Sequence, residues 1–217
     1  MKIYSIAIDG PSASGKGTIA QRLADHFNIP YLNSGALYRA LAWHIKQKNI
    51  SLSTINHENS TQSQIELLTS LIRQQDLENN DIMNEDIGSI ASIIAKNSKV
   101  RKSLFSWQQD FITDSESSNN GCVIDGRDIT TIIYPQANYK FFISANVEIR
   151  ASRRFKQLQK TNKNIKYQTI LEQLKQRDYN DINRSNSPLK IAKDAVIIDN
   201  GNLNIDQTFD KILSFIT

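Results

Sequence analysis

The sequence predicts an α/β fold, in which helices flank a five-stranded parallel sheet. Short apolar runs, partly β-branched, alternate with segments whose apolar residues recur every four positions, as expected for strands joined by helices. With 217 residues, 39% of them hydrophobic and 22% charged, the chain has the composition of an ordinary globular domain. Its length fits one domain with an insertion better than two independent domains.

The first strand is predicted at residues 3–9, where an apolar run ends at a Gly-Pro turn signal. Comparable runs predict the other four strands at 30–32, 121–125, 139–144 and 195–199. A strand, a loop, a helix and a second strand follow one another at the start of the chain. That succession is typical of a βαβ unit and favours parallel pairing.

The helices are predicted from apolar residues at a spacing of four, such as Ile19, Leu23 and Phe27. They cover residues 16–27, 35–48, 87–94, 100–112, 147–160, 167–183 and 205–216. The polar stretch 49–84 carries a helical pattern only at 65–72, so we interpret it as an inserted or mobile region outside the sheet. Residues 115–120 are expected to form a polar loop.

Charge and cysteine content restrict the possible partners and compartment. The net charge of +4 suits an anionic ligand, although basicity alone is a weak indication. Cys122 is the only cysteine, which excludes an intrachain disulfide and a multi-thiolate metal site and favours a reducing compartment. The N-terminus does not resemble a signal peptide, and the sequence has no apolar stretch long enough for a membrane span. We therefore expect a cytoplasmic protein without a membrane partner.

A phosphate-binding loop is predicted between the first strand and the first helix. Its glycines allow successive backbone N–H groups to face one concavity, Lys16 supplies a point charge, and Thr18 is a candidate hydroxyl ligand near Mg²⁺. The alternative is a glycine-rich turn with a surface lysine, which the strand and helix on either side disfavour. No Asn-Lys-x-Asp motif is present, which disfavours a GTPase. The loop residues are Gly10, Pro11, Ser12, Ala13, Ser14, Gly15, Lys16, Gly17 and Thr18.

Charged residues also follow the second and third strands. Asp125 ends the third strand, where a carboxylate can orient Mg²⁺ or its waters, and Arg127 and Asp128 follow it. Ser34 is expected to cap the helix that carries Arg39, whose guanidinium suits a phosphate oxygen. A turn with a local ion pair and a capped helix with a solvated arginine are the alternatives.

Further arginines lie on the predicted helices. Residues 150, 153 and 154 are arginines at helical spacing, and so share one face. Arg177 and Arg184 are two turns apart, with Asp181 between them, and Arg101 has Ser92 upstream. Each cluster alone is more typical of a solvated face. Beside a phosphate loop, their number favours phosphoryl transfer, which depends on positive charge around the moving group.

Together these segments resemble the bacterial cytidylate kinase family over nearly the whole chain. The resemblance rests on Ile-Asp-Gly-Pro-Ser-x-Ser-Gly-Lys-Gly-Thr at the N-terminus, Ser-Gly-Ala-x-Tyr-Arg at 34–39, Asp-Gly-Arg-Asp at 125–128 and the Arg-Asp pattern at 177–184. The Gly-Lys-Gly-Thr ending is also typical of nucleoside monophosphate kinases. The resemblance implies a P-loop NTPase fold and transfer of the ATP γ-phosphoryl group to CMP or dCMP, with Mg²⁺.

The resemblance also implies roles for individual residues. ATP phosphates would be held by residues 10–18, and Mg²⁺ by Thr18 and Asp125, directly or through water. The CMP phosphate would contact Arg39, Arg127 and Arg184 beside Ser34, the cytosine Ser92, Arg101 and Asp128, and the sugar Arg177 and Asp181. The residues expected to be catalytic are Lys16, Arg127, Arg153, Arg154 and Asp125.

The same resemblance implies a division of this single domain. The core would comprise residues 1–33, 119–150 and 185–217, and an acceptor-binding region would comprise about 34–118. Basic helices and a short lid would occupy about 151–184, with the lid itself around 157–166. Two features depart from the family pattern: Asn33 stands where Asp is usual, and residues 62–86 lack the alternating strands of the long family form.

The sequence leaves two rival functions open. One is a kinase of the same fold that acts on another nucleoside monophosphate or on a small metabolite. The other is a non-catalytic, nucleotide-dependent RNA-binding module, which is disfavoured because aromatic residues are not interleaved with the basic ones. We expect a monomer that binds ATP and CMP or dCMP and no nucleic acid.

Overall fold

A five-stranded parallel sheet in the order β2-β3-β1-β4-β5 organises the protein, as the sequence predicts. The computed structural model describes residues 4–56, 61–160 and 163–216. The predicted strand residue Ile3 therefore lies outside the described residues. The strands are β1 (Tyr4–Asp9), β2 (Tyr31–Asn33), β3 (Gly121–Gly126), β4 (Tyr139–Ser144) and β5 (Val196–Asp199).

The register of the strands brings the C-terminal ends of β1 and β3 to the same edge of the sheet. Asp9, the last residue of β1, is aligned with Gly126 of β3 on one side and Phe142 of β4 on the other. Ile8 is aligned with Asp125. The loops that follow β1 and β3 therefore leave the sheet at the same edge, where parallel sheets bind ligands.

Helices occupy most of the remaining described chain. A 3₁₀ helix spans Asn80–Met83, and a π-helical segment spans Ile129–Ile133 after β3. None of the helices among the described residues combines the length and apolar character needed to cross a membrane. The α-helices are α1 (Lys16–Phe27), α2 (Ser34–Gln47), α3 (Leu52–Asn56), α4 (Gln62–Thr69), α5 (Gln74–Leu77), α6 (Glu85–Ile94), α7 (Ser98–Ser118), α8 (Val147–Gln159), α9 (Tyr167–Asn183) and α10 (Ile205–Leu213).

The chain divides into two compact units. The first comprises Met1–Leu32 and Ser115–Thr217, and the second comprises Asn33–Asp114. In the first unit, apolar side chains of β1, β3, β4 and β5 form one core with those of α1 and α10, including Ile8, Leu23 and Phe141. In the second, α2 contacts α4, α5 and α6, and buries Leu37 and Leu41.

Two expectations about local structure are wrong. The stretch 49–84 is more helical than its composition indicates, with α3, α4, α5 and the 3₁₀ helix in its described part. These helices have four to eight residues, too few for a clear periodicity, and α4 depends on a capping box between Thr61 and Gln64. The second wrong expectation is the polar loop at 115–120, because residues 115–118 form the last turn of α7. In this turn Ser115 is buried, and Glu116 accepts a hydrogen bond from the Tyr134 hydroxyl.

Candidate functional site

The loop between β1 and α1 has a backbone that requires glycine at two points. Gly10 has a φ of 155°, and a Cβ there would lie 2.1 Å from the carbonyl oxygen of Ile143. Gly15 has a φ of 86° and precedes α1 without a side-chain cap. Since the first N–H groups of a helix have no partner within it, this loop provides amide donors and the positive end of a helix dipole for an anion.

Three side chains hold the loop carbonyls, two of them from distant parts of the first unit and one from the loop itself. The Arg150 guanidinium donates to the Ser12 carbonyl at 3.0 Å. The Asn200 side-chain amide donates to the Ser14 carbonyl at 2.9 Å. Lys16 Nζ reaches back to the Pro11 carbonyl at 3.3 Å. The loop is therefore shaped before any ligand binds.

Lys16 is a buried cation beside a carboxylate. Its Nζ lies 4.0 Å from Asp125 Oδ2, while the Tyr31 hydroxyl donates to Asp125 Oδ1 at 2.6 Å. Burial, and next the positive charge of Arg127, lower the pKa of Lys16 to about 7. An anion bound in the loop would restore the ordinary pKa by compensating the buried charge.

Asp125 and Thr18 are the candidates for holding a divalent cation. Among the described residues, no group of three or more His, Cys, Asp or Glu forms a cage for a metal. Mg²⁺ is usually held by one or two protein oxygens together with the phosphates of a nucleotide. A single carboxylate at the strand end and the exposed Thr18 hydroxyl in the first turn of α1 fit such a donor set.

The residues after β3 and at the end of α9 form an ion-pair network in the first unit. Arg127 donates through Nε to Asp181 at 2.8 Å and through Nη2 to the Ser12 hydroxyl at 2.8 Å. Arg184 lies 3.8 Å from both Asp128 and Asp181. The structure thus brings together four predicted acceptor residues and connects them to the phosphate loop.

Electrostatics keep this network charged. Burial alone would raise the pKa of Asp181, yet its bond to Arg127 and the charges of Arg127, Arg177 and Arg184 hold it below its ordinary value. Arg177, a predicted sugar-binding residue, is thus close enough to act on both Asp181 and Lys16. The three arginines and the two carboxylates, Asp128 and Asp181, leave an excess of one positive charge, which suits an anionic ligand.

The other predicted acceptor residues lie on the second unit. Arg39 of α2 donates to the carbonyls of Ile82 at 2.7 Å and Asn84 at 3.2 Å. The Arg101 guanidinium lies over the Tyr38 ring, 5.8 Å from its centroid. Ser34 is buried at the start of α2, and Ser92 lies half-buried on α6.

The cap of α2 differs from the prediction. Asn33, and not Ser34, is the N-cap, because its Oδ1 accepts a hydrogen bond from the Ala36 amide at 3.1 Å. The helix begins one residue earlier than expected. Since Asn and Asp are equally good caps, the Asn33 departure from the family pattern preserves this role.

The three arginines of α8 have different surroundings. Arg150 is buried, and each of its three guanidinium nitrogens donates to the protein, to Ala145, Ser12 and Asp178 respectively. Arg153 donates to Asn200, and Arg154 donates to Gln157 on the same helix. The predicted lid, 157–166, includes residues 161 and 162, which lie outside the described residues.

Three polar residues that shape this site were not predicted from the sequence. Asp9 accepts from the Ile129 and Thr130 amides and the Thr130 hydroxyl, and burial raises its pKa to about 6. Tyr31 holds Asp125, and Asn200 holds the phosphate loop. A polar residue at the end of a strand was the available signal for Asp9 and Asn200.

Comparison with known proteins gives a consistent result. The family model described as cytidylate kinase matches residues 6–217. The cytidylate kinase of Clostridium tetani is 40% identical over 215 residues, covering 97% of this chain and 92% of its own length. That of Bartonella tribocorum is 39% identical over 216 residues, covering 100% and 95%. An uncharacterized protein from Eubacterium ventriosum shares the fold, with a TM-score of 0.52 and 17% identity over 97% of this chain and 96% of its own.

Proposed function

Because the chain belongs to the cytidylate kinase family and so transfers the γ-phosphoryl group of ATP to CMP or dCMP, we propose that the phosphate loop and the arginines around it carry this transfer. The main support is the position of Lys16. It is a buried cation with a lowered pKa, held at the start of α1 beside Asp125 and within the field of Arg127. A buried cation of this kind is stabilised more by an incoming phosphate than an exposed lysine would be.

On this proposal, residues 10–18 hold the phosphates of ATP. The backbone amides and the dipole of α1 contact the phosphate oxygens, and Lys16 adds a full positive charge. Ser14 has a buried hydroxyl that finds no hydrogen-bond partner among the residues that the structure describes. A bound phosphate would supply the partner that this hydroxyl lacks.

The residues proposed to contact CMP have separate roles. Its phosphate is assigned to Arg39, Arg127 and Arg184 beside Ser34, and its sugar to Arg177 and Asp181. Asp128, with Ser92 and Arg101, is assigned to the cytosine edge. A base that leaves the buried Asp128 carboxylate unpaired would be rejected, which gives the selectivity.

Little covalent chemistry is required of the protein. The acceptor phosphate is already ionised at neutral pH, so no general base is needed. Lys16, Arg127, Arg153 and Arg154 are assigned to the negative charge of the transferring group. Closure of the lid would exclude water and align the acceptor oxygen with the γ-phosphorus.

Asp125 and Thr18 are proposed to hold Mg²⁺ together with the ATP phosphates, directly or through water. When bound, the ion supplies positive charge that neutralises the phosphate oxygens. The carboxylate of Asp125 also accepts a hydrogen bond from Tyr31. This contact keeps it oriented at the end of β3.

The test is a coupled assay of ADP release with CMP, dCMP, UMP, AMP and shikimate in parallel. We expect turnover with CMP or dCMP to exceed that with each other acceptor by at least about a hundredfold, because a mispaired base leaves buried polar groups unsatisfied. Equal turnover with UMP or AMP, or turnover only with shikimate, would contradict the proposed assignment of the cytosine-binding residues.

We also propose that the enzyme is a cytoplasmic monomer without a nucleic-acid partner. Cys122 is buried, and burial raises the pKa of its thiol to about 12, so the thiol stays protonated and unreactive. Light scattering after size exclusion tests the monomer. Salt-dependent retention of RNA on filters would contradict the absence of a nucleic-acid partner.

A further inference from the structure

The Ser14 carbonyl of the phosphate loop is held by a residue 186 positions later in the chain. Asn200 Nδ2 donates to the Ser14 carbonyl oxygen at 2.9 Å, and both groups are buried. Asn200 follows β5 and is only 4% exposed. A buried side-chain donor directed at a loop carbonyl restricts the orientation of the peptide group that it contacts.

The backbone of Asn200 is fixed to the sheet. Its N–H donates to the Ser144 carbonyl at the end of β4 at 2.9 Å. Its own carbonyl accepts from the Leu203 amide at 3.1 Å. The side chain therefore extends toward the phosphate loop from a rigid position.

Arg153 determines which end of the Asn200 amide faces the loop. One of its guanidinium nitrogens lies 3.1 Å from Asn200 Oδ1, and another lies 2.7 Å from the Asn200 carbonyl oxygen. A guanidinium only donates hydrogen bonds, so the amide atom facing it must be the oxygen. The NH₂ group is then directed at Ser14, and a flip of the amide would lose both bonds.

The hydrogen bond from Asn200 to the Ser14 carbonyl also affects the Gly15 N–H, a group that would bind phosphate. The peptide between Ser14 and Gly15 is trans, so its N–H points opposite to its carbonyl. Holding the Ser14 carbonyl toward Asn200 therefore directs the Gly15 N–H to the other side of the peptide. Gly15 has a positive φ and no side chain, so it cannot fix this orientation itself.

We propose that Asn200, oriented by Arg153, is a positioning residue that sets the Gly15 amide for an ATP phosphate. The inference rests on the proposed function, because it assigns ATP to this loop. Asn200 acts through the loop and touches neither nucleotide. Its loss should therefore weaken ATP and leave CMP unaffected.

The test compares Asn200→Ala with Asn202→Ala, a matched change at an exposed position of the same loop. We expect Asn200→Ala to raise the KM for ATP about tenfold, the effect of one buried hydrogen bond, with the KM for CMP within about twofold. Asn202→Ala should change neither. Equal increases in both KM values, or no change in either, would overturn the proposal.

Asn200→Asp provides a second variant of nearly the same shape, in case the alanine variant does not fold. It keeps the acceptor for Arg153 but loses the donor to Ser14, so the KM for ATP should again rise selectively. Asn202→Asp controls for the added negative charge. Circular dichroism confirms the folded state of each variant, and ATP affinity by calorimetry tests the proposal even if CMP is not the acceptor.

The role of Arg153 is tested in both backgrounds. If Arg153 acts through Asn200, Arg153→Met should raise the KM for ATP in the wild-type chain and add less than about twofold in the Asn200→Ala chain. An increase in the KM for ATP of the same size in both backgrounds would show that Arg153 acts on ATP binding independently of Asn200. That result would overturn the orienting role.

Discussion

The lowered pKa of Lys16 leads to a quantitative expectation for the binding of ATP. Burial and the positive charge of Arg127 lower this pKa to about 7, so much of the free protein carries a neutral Lys16 above neutral pH. A bound triphosphate favours the charged form, and binding is therefore coupled to the uptake of a proton. The affinity for ATP should fall as the pH rises above 7.

The magnitude follows from the fraction of Lys16 that is protonated in the free protein. Between pH 7.5 and pH 9.0 that fraction falls from about a quarter to about one hundredth, which corresponds to a loss in affinity of about 25-fold. The ATP phosphates are themselves ionised throughout this range. The change can therefore be assigned to the protein.

Isothermal titration calorimetry in two buffers of different ionisation enthalpy measures both the dissociation constant and the protons taken up. We expect close to one proton per ATP at pH 8.5. Lys16→Arg is the matched control, because an arginine stays charged over the whole range and should abolish the dependence. A dissociation constant independent of pH, with no proton uptake, would refute the reasoning.

Two further expectations concern the loop and the base. Gly10→Ala places a Cβ 2.1 Å from the Ile143 carbonyl oxygen and should lower the free energy of unfolding, measured in urea, by about 3 kcal/mol. Gly15→Ala is the milder change, because its Cβ would lie 3.6 Å from Asn200 Nδ2, an ordinary contact. Only the positive φ disfavours it, and it should lower the free energy of unfolding by about 1 kcal/mol. Equal losses would mean that the clash is relieved by movement. Asp128→Ala should raise the KM for CMP at least about 30-fold and leave that for ATP nearly unchanged, as steady-state kinetics can measure; parallel losses would indicate that Asp128 mainly holds Arg184.

Much of the fold could be predicted because its signals are local. The apolar runs of the strands and the four-residue spacing of Ile19, Leu23 and Phe27 are visible in the sequence, and α1 begins and ends as expected. The helices α3 and α5 have five and four residues and show no periodicity. The Arg73 amide donates to Asp76 at the start of α5, α5 packs against α2, and α3 packs against α6, and a single segment does not reveal such packing.

The residues of the candidate site could likewise be predicted where their signal is local and not where it depends on contacts between distant segments. The phosphate loop is contiguous and carries its own signature, so its residues could be identified directly. The bonds from Asn200 to Ser14 and from Tyr31 to Asp125 join residues distant in sequence. The helical spacing of Arg150, Arg153 and Arg154 predicted one shared face, but only the packed structure distinguishes the buried Arg150 from Arg154.

The central claim is that a buried lysine in an amide-lined loop drives transfer of phosphate to a separately bound CMP. Lys16→Met tests it most directly, by single-turnover measurement of CDP formation together with calorimetric titration of CMP. We expect the rate to fall by at least about a thousandfold, as for loss of a charge acting on the transition state, while the affinity for CMP stays within about threefold. Near-full turnover in the methionine variant, or loss of CMP binding as the main defect, would contradict it.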